Sequence, residues 1–524
     1  MKRTSSDSSQ RNLTPPVNPQ WLQQQNIQTN QPNNEHYAIA LPPLTDDLYA
    51  QLVDPLLQKD IERAMQIAGV RNLSELLQLT DAYRRTLLMF AGMRGDVELI
   101  KILLSSANNP DVLASMKDAN GMSALMHAIK WPKPKPIKAL LDNVKNPEQL
   151  IFMKNDENKA ALRLAIEQSV VSDFYGDYEI IIRHHREMLE MENKYKAESS
   201  KVLLSYVSDK DALICKQDVD GREMLSYALR MDNAELLKIL LDSVDNPEEL
   251  LTMQDSQGKN LLMDAASQGR PKSIEVILKS VKNPEAYATI RDSEGLTALM
   301  HAIVKCHPTS LKAILSNVNN PDQLAFMKDN DDYNALMLAG IFVENETFTV
   351  LLDHVKNPTE LIYSSKPNGT TALMLFIIYS FIDDIDSNPI TIMLDKLKKV
   401  RDPNQRMSLT YSKGKNAYIP LDPDSLIFMK DSRGMNAFML AVNENHIRAA
   451  ILLLKLTTDK LSLFNENNND QRTALDLFDN EHGERMCDAL IERVEHLQLS
   501  DHSEDLVIVL RLLQERKARF NQAN

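Results

Sequence analysis

One pattern of apolar and polar positions returns along most of this chain at a fixed spacing. Asp292-Ser-Glu-Gly-Leu-Thr-Ala-Leu-Met-His-Ala-Ile303 is almost repeated by Asp118-Ala-Asn-Gly-Met-Ser-Ala-Leu-Met-His-Ala-Ile129. Variants of this stretch begin, in phase, at Asp81, Asn155, Asp218, Asp255, Asp329, Lys366, Asp431 and Asn468. The starts lie 37 residues apart, except for two intervals of 63 and 65 residues. The chain is therefore predicted to stack about ten copies of one supersecondary unit.

The sequence of each unit predicts a tight turn that is followed by helices. Position one, the first residue of each start, is usually Asp, and position four is often Gly, which adopts the positive φ of a tight turn. A first helix follows, as in residues 298–303, and then a second, as in residues 236–241. The second is the more apolar, so we expect it to be the core helix. An Asn-Pro pair, as at Asn320, then begins a third short helical turn.

The residue types of that third turn suit a helix start. Asn caps free N–H groups, Pro fits the first helical position, and the acidic residue that follows meets the positive end of the helix dipole.

The ends of the array depart from the pattern. Residues 1–40 are rich in Ser, Gln, Asn and Pro, and predict a disordered polar tail. Residues 41–80 predict an N-terminal capping repeat, and residues 481–524 predict C-terminal capping helices. Between them, residues 81–480 form the array, with insertions near 171–200 and 401–421. We expect the first insertion to be a solvated helix and the second to be a β-hairpin.

The repeat resembles the ankyrin repeat, whose signature includes Thr-Pro-Leu-His-x-Ala after a hairpin loop. The likeness is clearest in Asp81-Ala-Tyr-Arg-Arg-Thr-Leu-Leu-Met-Phe-Ala91 and in Arg472-Thr-Ala-Leu-Asp-Leu477. The family period is about 33 residues, and Ala298 and Met300 stand where the family has Pro and His. The resemblance implies an all-α repeat solenoid of helix pairs, here with an extra short helical turn per repeat. A helical solenoid of another type is the alternative fold.

Composition narrows the function classes. The formal charge of −14 and the isoelectric point near 5.4 argue against nucleic-acid binding, which requires many Lys and Arg. Cys215, Cys306 and Cys487 are far apart and odd in number, which favours a reducing compartment over a disulfide framework. No standard signal peptide or integral membrane segment is predicted, so we expect a cytoplasmic protein, or one delivered into a host cell by another route.

The ankyrin resemblance also implies where a partner binds. In that family the loop tips and first helices line a concave groove, which here places positions two, three and five and the two positions that end the first helix on one face. Aromatic residues, Arg and Met at such positions are typical interface anchors. The candidates are Tyr83, Arg85, Met122, Lys130, Trp131, Arg222, Arg230, Tyr333, Phe342 and Met435. The second insertion adds Tyr411, Lys413, Lys415 and Tyr418.

These observations predict a protein-binding scaffold that is a monomer and needs no cofactor or metal. Catalytic and phosphate-binding motifs are not found, and His301 is replaced in other units, so we interpret it as architectural. In style the array is similar to the ankyrin effector proteins of intracellular bacteria. Two alternatives stay open: a ubiquitin-ligase adaptor with a degenerate F-box in residues 41–80, and an enzyme whose activity lies in an insertion.

Trp131 generates a first prediction, because Pro132 and Pro134 should hold it rigidly at a turn. Trp131→Ala should weaken partner binding and leave the stack folded, as measured by affinity capture and thermal unfolding. A loss of thermal stability as large as that of a core truncation would show instead that Trp131 packs the stack.

Overall fold

A computed structural model describes the chain from the N-terminal cap to the last helix, with short gaps. The described residues are 42–129, 134–167, 178–215, 223–342, 345–379, 389–398, 406–410, 416–420, 422–479, 483–498 and 504–523.

Three helices recur in the units, as the sequence predicts. The first helices are Leu87–Arg94, Ala124–Ile129, Ala161–Glu167, Glu223–Arg230, Leu261–Ser267, Ala298–Val304, Ala335–Phe342, Ala372–Tyr379, Ala437–Asn443 and the 3-10 helix Ala474–Asp479. The second helices are Val97–Ser106, Lys135–Asp142, Tyr178–Ser205, Ala234–Ser243, Pro271–Ser280, Pro308–Ser316, Asn345–His354, Pro389–Lys398, Ile447–Leu456 and Gly483–Gln498. The third helices are Pro110–Ser115, Pro147–Phe152, Lys210–Cys215, Pro247–Thr252, Pro284–Ala288, Pro321–Phe326, Pro358–Tyr363, Pro423–Ile427 and Lys460–Asn465.

The first helix, rather than the second, is the core helix of a unit. All six residues of Ala124–Ile129 are buried. In contrast, the second helix Val97–Ser106 buries four of its ten residues, all on one face. The expectation from apolar content was wrong because burial depends on neighbours. A first helix packs against the first helices of both adjoining units and against its own second helix, whereas a second helix keeps an outer face in water.

The side chain at position one closes the loop in eight of the described units. Oδ1 of Asp292 accepts the N–H of Glu294 at 3.0 Å and that of Leu296 at 2.8 Å. Position four adopts the positive φ that the turn requires, as at Gly295, where φ is 81°. The same pair of hydrogen bonds occurs at Asp81, Asp118, Asn155, Asp255, Asp329, Asp431 and Asn468.

The second carboxylate oxygen of position one holds a histidine of the first helix in two units. Nε2 of His301 lies 2.8 Å from Oδ2 of Asp292, and Nε2 of His127 lies 2.8 Å from Oδ2 of Asp118. Burial would raise the pKa of Asp118, but two backbone N–H groups of its loop and the His127 ring outweigh burial and hold that pKa below its usual value. All four side chains are buried, so the architectural interpretation of His301 is confirmed.

Backbone hydrogen bonds also join the loops of adjoining units. The N–H at position two donates to the carbonyl at position three of the preceding unit, as from Ala119 to Tyr83 at 2.8 Å. Equivalent bonds run from Asp156 to Asn120, Ser293 to Gln257, Asn330 to Glu294, Ser432 to Asn368 and Asn469 to Arg433. Pro367 occupies position two of the eighth unit and has no N–H to donate.

The acidic residue of the third helix ties one unit to the next. Asp322 accepts the backbone N–H of Lys356 at 2.6 Å and the side-chain amide of Asn357 at 2.7 Å. The helix-dipole interpretation missed this bond, because its partner lies about one repeat away in sequence. Equivalent bonds to backbone N–H groups run from Asn146 to Asp111, Ser208 to Glu148, Asp245 to Asp211, Asn319 to Glu285 and Thr458 to Asp424.

Side-chain capping by the Asn of the Asn-Pro pair varies between units. The side chains of Asn109 and Asn283 accept a backbone N–H of their own turn. The side chains of Asn146, Asn246, Asn320 and Asn357 make no such cap bond. Pro follows at the first helical position in all of these turns, as predicted.

The first insertion lengthens the second helix of the third unit to Tyr178–Ser205, which has 28 residues. A solvated helix was predicted, but its C-terminal half buries one face in the stack, where Glu192, Lys196 and Ala197 are covered.

The second insertion contains a β-hairpin, which confirms the prediction from its sequence. Strands Arg406–Thr410 and Asn416–Pro420 pair antiparallel, with Ser408 opposite Tyr418.

Helices cover both ends of the stack. At the N-terminal end Asp46–Leu57, Ile61–Ala68 and Leu73–Gln78 form a cap, in which the hydroxyl of Tyr49 donates to Asp96 at 2.5 Å. Leu52 and Leu56, which belong to the candidate F-box segment of residues 41–80, are buried there. At the C-terminal end Glu504–Ala523 packs against Gly483–Gln498.

The loop geometry generates a second prediction. Asp292→Ala removes the acceptor of two backbone N–H groups and the partner of buried His301, so we expect the free energy of unfolding to fall by roughly 1–3 kcal/mol. Hydrogen exchange at the amides of Glu294 and Leu296 should accelerate. Asp292→Asn is the matched control, because Asn155 and Asn468 hold the same loop with an amide oxygen. Equal losses in the two variants would contradict the role of the loop bonds.

Candidate protein-binding groove

Three successive units form a concave pocket with a volume of about 650 Å³. Its walls come from the loops of the second and third units and from the first helices of the second, third and fourth units. The lining residues are Asn120, Met122, His127, Asn155, Asp156, Glu157, Lys159, Leu164, Glu167 and Tyr227. Positions three, five and thirteen of a unit therefore lie on one concave face in this part of the stack.

Ion pairs organise the charged wall of the pocket. Glu167 lies 2.9 Å from Nζ of Lys159 and 2.7 Å from Nε of Arg163, and Glu157 lies 3.0 Å from the same Lys159 ammonium. The carboxylates of Glu167 and Glu157 raise the pKa of Lys159. All of these groups except Glu157 are less than a third exposed, so the pairs are screened less than surface pairs. The wall offers both signs of charge in fixed positions.

Tyr227 links this wall to the fourth unit. Its hydroxyl donates to the backbone carbonyl of Glu167 at 2.8 Å. Burial, together with the carboxylates of Glu167 and Glu192, raises the pKa of Tyr227. Nζ of Lys196 lies 5.8 Å from the ring centroid and 2.9 Å from Glu192, and both charged side chains are almost fully buried. The ring is thus held from its edge and from one face, which keeps this part of the pocket rigid.

Two of the sequence-predicted residues lie together in the first loop. Tyr83 is 63% exposed, which leaves its ring open to a partner. Nη2 of Arg85 lies 2.6 Å from Asp81, and its guanidinium lies 5.2 Å from the Tyr83 ring centroid. The Arg85 guanidinium, which is held by Asp81, therefore helps to position the exposed Tyr83 ring.

Other predicted residues also have defined contacts. Met122 lines the pocket, where its sulfur lies 3.5 Å from the side-chain amide nitrogen of Asn155. The guanidinium of Arg230 lies 5.4 Å from the ring centroid of Tyr227. Tyr333 is half-buried, with Nζ of Lys366 3.5 Å from its ring centroid.

Met435 contradicts the expectation that its side chain is open to a partner. It is only 4% exposed, because the loop of the next unit covers it, and the side-chain amide of Asn468 donates to its sulfur at 3.5 Å. Phe342, in contrast, is 40% exposed at the end of its first helix.

Several predicted residues cannot be placed in this way. Tyr418 lies on the second strand of the hairpin, opposite Ser408. The residues Lys130, Trp131, Arg222, Tyr411, Lys413 and Lys415 lie outside the described residues.

Of the ten residues that line the pocket, sequence reasoning predicted only Met122 as a binding residue, and it missed the three that give the wall its chemistry, Lys159, Glu167 and Tyr227. Lys159 occupies position five, and Glu167 occupies position thirteen, one of the two that end the first helix, so the groove rule was sufficient to find both. Tyr227 occupies position ten, which is histidine in two units and which we interpreted as purely architectural.

The described residues offer no sign of two other kinds of site. Among them there is no group of three or more His, Cys, Asp or Glu side chains arranged to hold a metal ion. A search of the same residues finds no helix with the length and apolar character needed to cross a membrane.

Comparisons with solved structures give low similarity over part of the chain. One similar structure is the ankyrin repeat domain of Bcl-3, a member of the IkappaB family, at 17% identity and a TM-score of 0.34, covering 50% of this chain and 95% of that chain. Another is a chain from the complex of the predatory endopeptidase Bd0816 of Bdellovibrio bacteriovorus with the immunity protein Bd3460, at 20% identity and a TM-score of 0.31, covering 44% of this chain and 97% of that chain. A comparison with curated proteins finds no match.

The family comparison is more direct. The family model of ankyrin repeats, in three copies, matches residues 52–151, which contain part of the N-terminal cap and the first two units up to the third helix of the second. Residues 52–151 therefore contain ankyrin repeats.

Proposed function

We propose that the protein is a scaffold that binds another protein along the concave face of its stack. One observation carries this proposal: the lining of the pocket of about 650 Å³ includes side chains at positions that differ between units, such as Met122, Lys159 and Glu167. The positions that maintain the stack, which are the apolar core positions and the loop-closing position one, are similar from unit to unit. Variation at positions that line the pocket supports recognition as the role of this face.

The chemistry of the pocket favours a polar segment of a protein over a small apolar ligand. Its wall combines the Lys159 ammonium with the carboxylates of Glu157 and Glu167, and the Tyr227 ring adds one aromatic surface. Since the wall spans three units, a bound segment contacts several units at once.

The finer role that we propose is that of an effector delivered by an intracellular bacterium into its host cell. Its support is the style of the sequence, an Asn-rich and Met-rich array behind a polar N-terminal tail. A translocation reporter fused to the full chain should give a signal in the host cytosol that depends on the secretion system of the bacterium. A signal only inside the bacterium would contradict the effector role and leave the scaffold function standing.

Charge reversal in the pocket tests the scaffold function. Lys159→Glu places a third carboxylate beside Glu157 and Glu167, so a partner seated there should be captured about tenfold less, as one hot-spot residue typically contributes more than 1 kcal/mol. The measurement is affinity capture from a cell lysate with the immobilised full chain, quantified by mass spectrometry.

Lys201→Glu is the matched control, because Lys201 is an exposed lysine on the second helix of the same unit. It should capture the partner as well as the unaltered chain does, and thermal unfolding should show that both variants fold. Equal capture by all three chains would contradict binding in this pocket.

A further inference from the structure

The residues that end several of the first helices differ in chemistry from the pocket. The residues at the ends of four first helices, Arg230, Lys305, Phe342 and Tyr379, form what we call the helix-end row. Arg230 belongs to the fourth unit, Lys305 to the sixth, Phe342 to the seventh and Tyr379 to the eighth. The row begins beside the pocket, because its first residue, Arg230, has its guanidinium 5.4 Å from the Tyr227 ring centroid.

The aromatic half of the row is exposed and apolar. Phe342 is 40% exposed and Tyr379 is 53% exposed, and the residue before each of them, Ile341 and Ile378, is half-buried. Gly340 lets the two helices approach closely, because a Cβ atom there would lie 2.9 Å from the carbonyl oxygen of Ala372. The two aromatic side chains therefore stand on a closely packed helix pair and leave apolar surface open to water.

The cationic half of the row is not neutralised by the protein. Arg230 and Lys305 are exposed, and neither has a carboxylate within 4.0 Å among the residues that the structure describes. Neighbouring Arg270 behaves differently, because its Nη1 lies 3.6 Å from Asp232. A cation at a helix C-terminus is favoured by the helix dipole, which accounts for the residue type but leaves most of its charge available to a partner.

Building on the proposed function, we infer that the helix-end row binds an extended segment of the partner that is acidic at one end and apolar at the other. The acidic residues of the segment lie at Arg230 and Lys305, and its apolar residues cover Phe342 and Tyr379. Packed helices lie about 8–10 Å apart, so four unit steps span roughly 32–40 Å. An extended chain rises about 3.3 Å per residue, so the segment has about 10–12 residues.

Charge complementarity selects this occupant. A basic segment would be repelled at Arg230 and Lys305, and a uniformly acidic segment would leave the two aromatic rings in water. An anionic lipid surface carries the same combination of charge and apolar groups, so the experiment below includes it as a competing outcome.

The test uses the full chain and a labelled synthetic peptide of about 12 residues, with Asp and Glu in one half and Leu and Phe in the other. Fluorescence anisotropy should show binding that weakens as salt is added, since exposed charges are screened. The double variant Arg230→Glu with Lys305→Glu, and the double variant Phe342→Ser with Tyr379→Ser, should each weaken binding about tenfold or more. The charge-reversed variant should also lose the salt dependence.

Matched controls separate the row from the rest of the surface. Lys312→Glu alters an exposed lysine on the second helix of the sixth unit, and Val507→Ser with Ile508→Ser alters two exposed apolar residues on the last helix. Both controls should bind the peptide as the unaltered chain does. Thermal unfolding should confirm that each row variant is folded.

Four results would overturn the inference: no peptide binding, equal binding to the row variants, equal binding of a peptide with Lys in place of the acidic residues, or binding to phosphatidylserine vesicles in place of the peptide. The proposed function can fail separately. A partner that is lost with Lys159→Glu but kept by the row variants would support the pocket and reject the row.

Discussion

A first helix stays out of water only when a unit stands on either side of it. All six residues of Ala124–Ile129 are buried, and most of the surface that covers them belongs to other units. A single unit cannot provide that cover, so the stack is the smallest object that folds. The caps follow from the same constraint, because the outermost first helices also need a covered face.

Polar bonds set how the units are placed on each other. Oδ1 of Asp292 fixes the shape of its own loop, the N–H of Ser293 joins that loop to the preceding one, and Asp322 joins the third helix to the next unit. Apolar contacts alone would tolerate sliding, whereas these directional bonds select one register. The residues that stabilise the fold are therefore at positions that repeat, and the residues at the groove positions can differ between units without loss of the fold.

Features that repeat could be predicted from the sequence, because the same pattern occurs in every copy of the unit. The phase of the units, the turn at Gly295 and the Pro at the start of the third helix were predicted in this way, and the hairpin was predicted from two β-prone runs around Gly414. Contacts between units were not predictable from one unit. The role of Asp322, the burial of Met435 and the central place of the first helix all depend on a neighbour about 37 residues away. The pocket lay between these cases, since the positions of Lys159 and Glu167 were predictable but their ion pairs were not.

Pro367 makes the junction of the seventh and eighth units different from the other described junctions. The loop bond is missing at the junction of the seventh and eighth units, and Thr359 stands there in place of the acidic residue of the third helix. Other contacts join the two units beside the close helix packing at Gly340: the Tyr363 hydroxyl donates to the Asp422 carbonyl, Lys396 pairs with Asp353, and Nζ of Lys366 lies 3.5 Å from the Tyr333 ring centroid. The contacts that hold this junction are therefore specific to these two units, so another repeat could not replace either of them without losing these contacts.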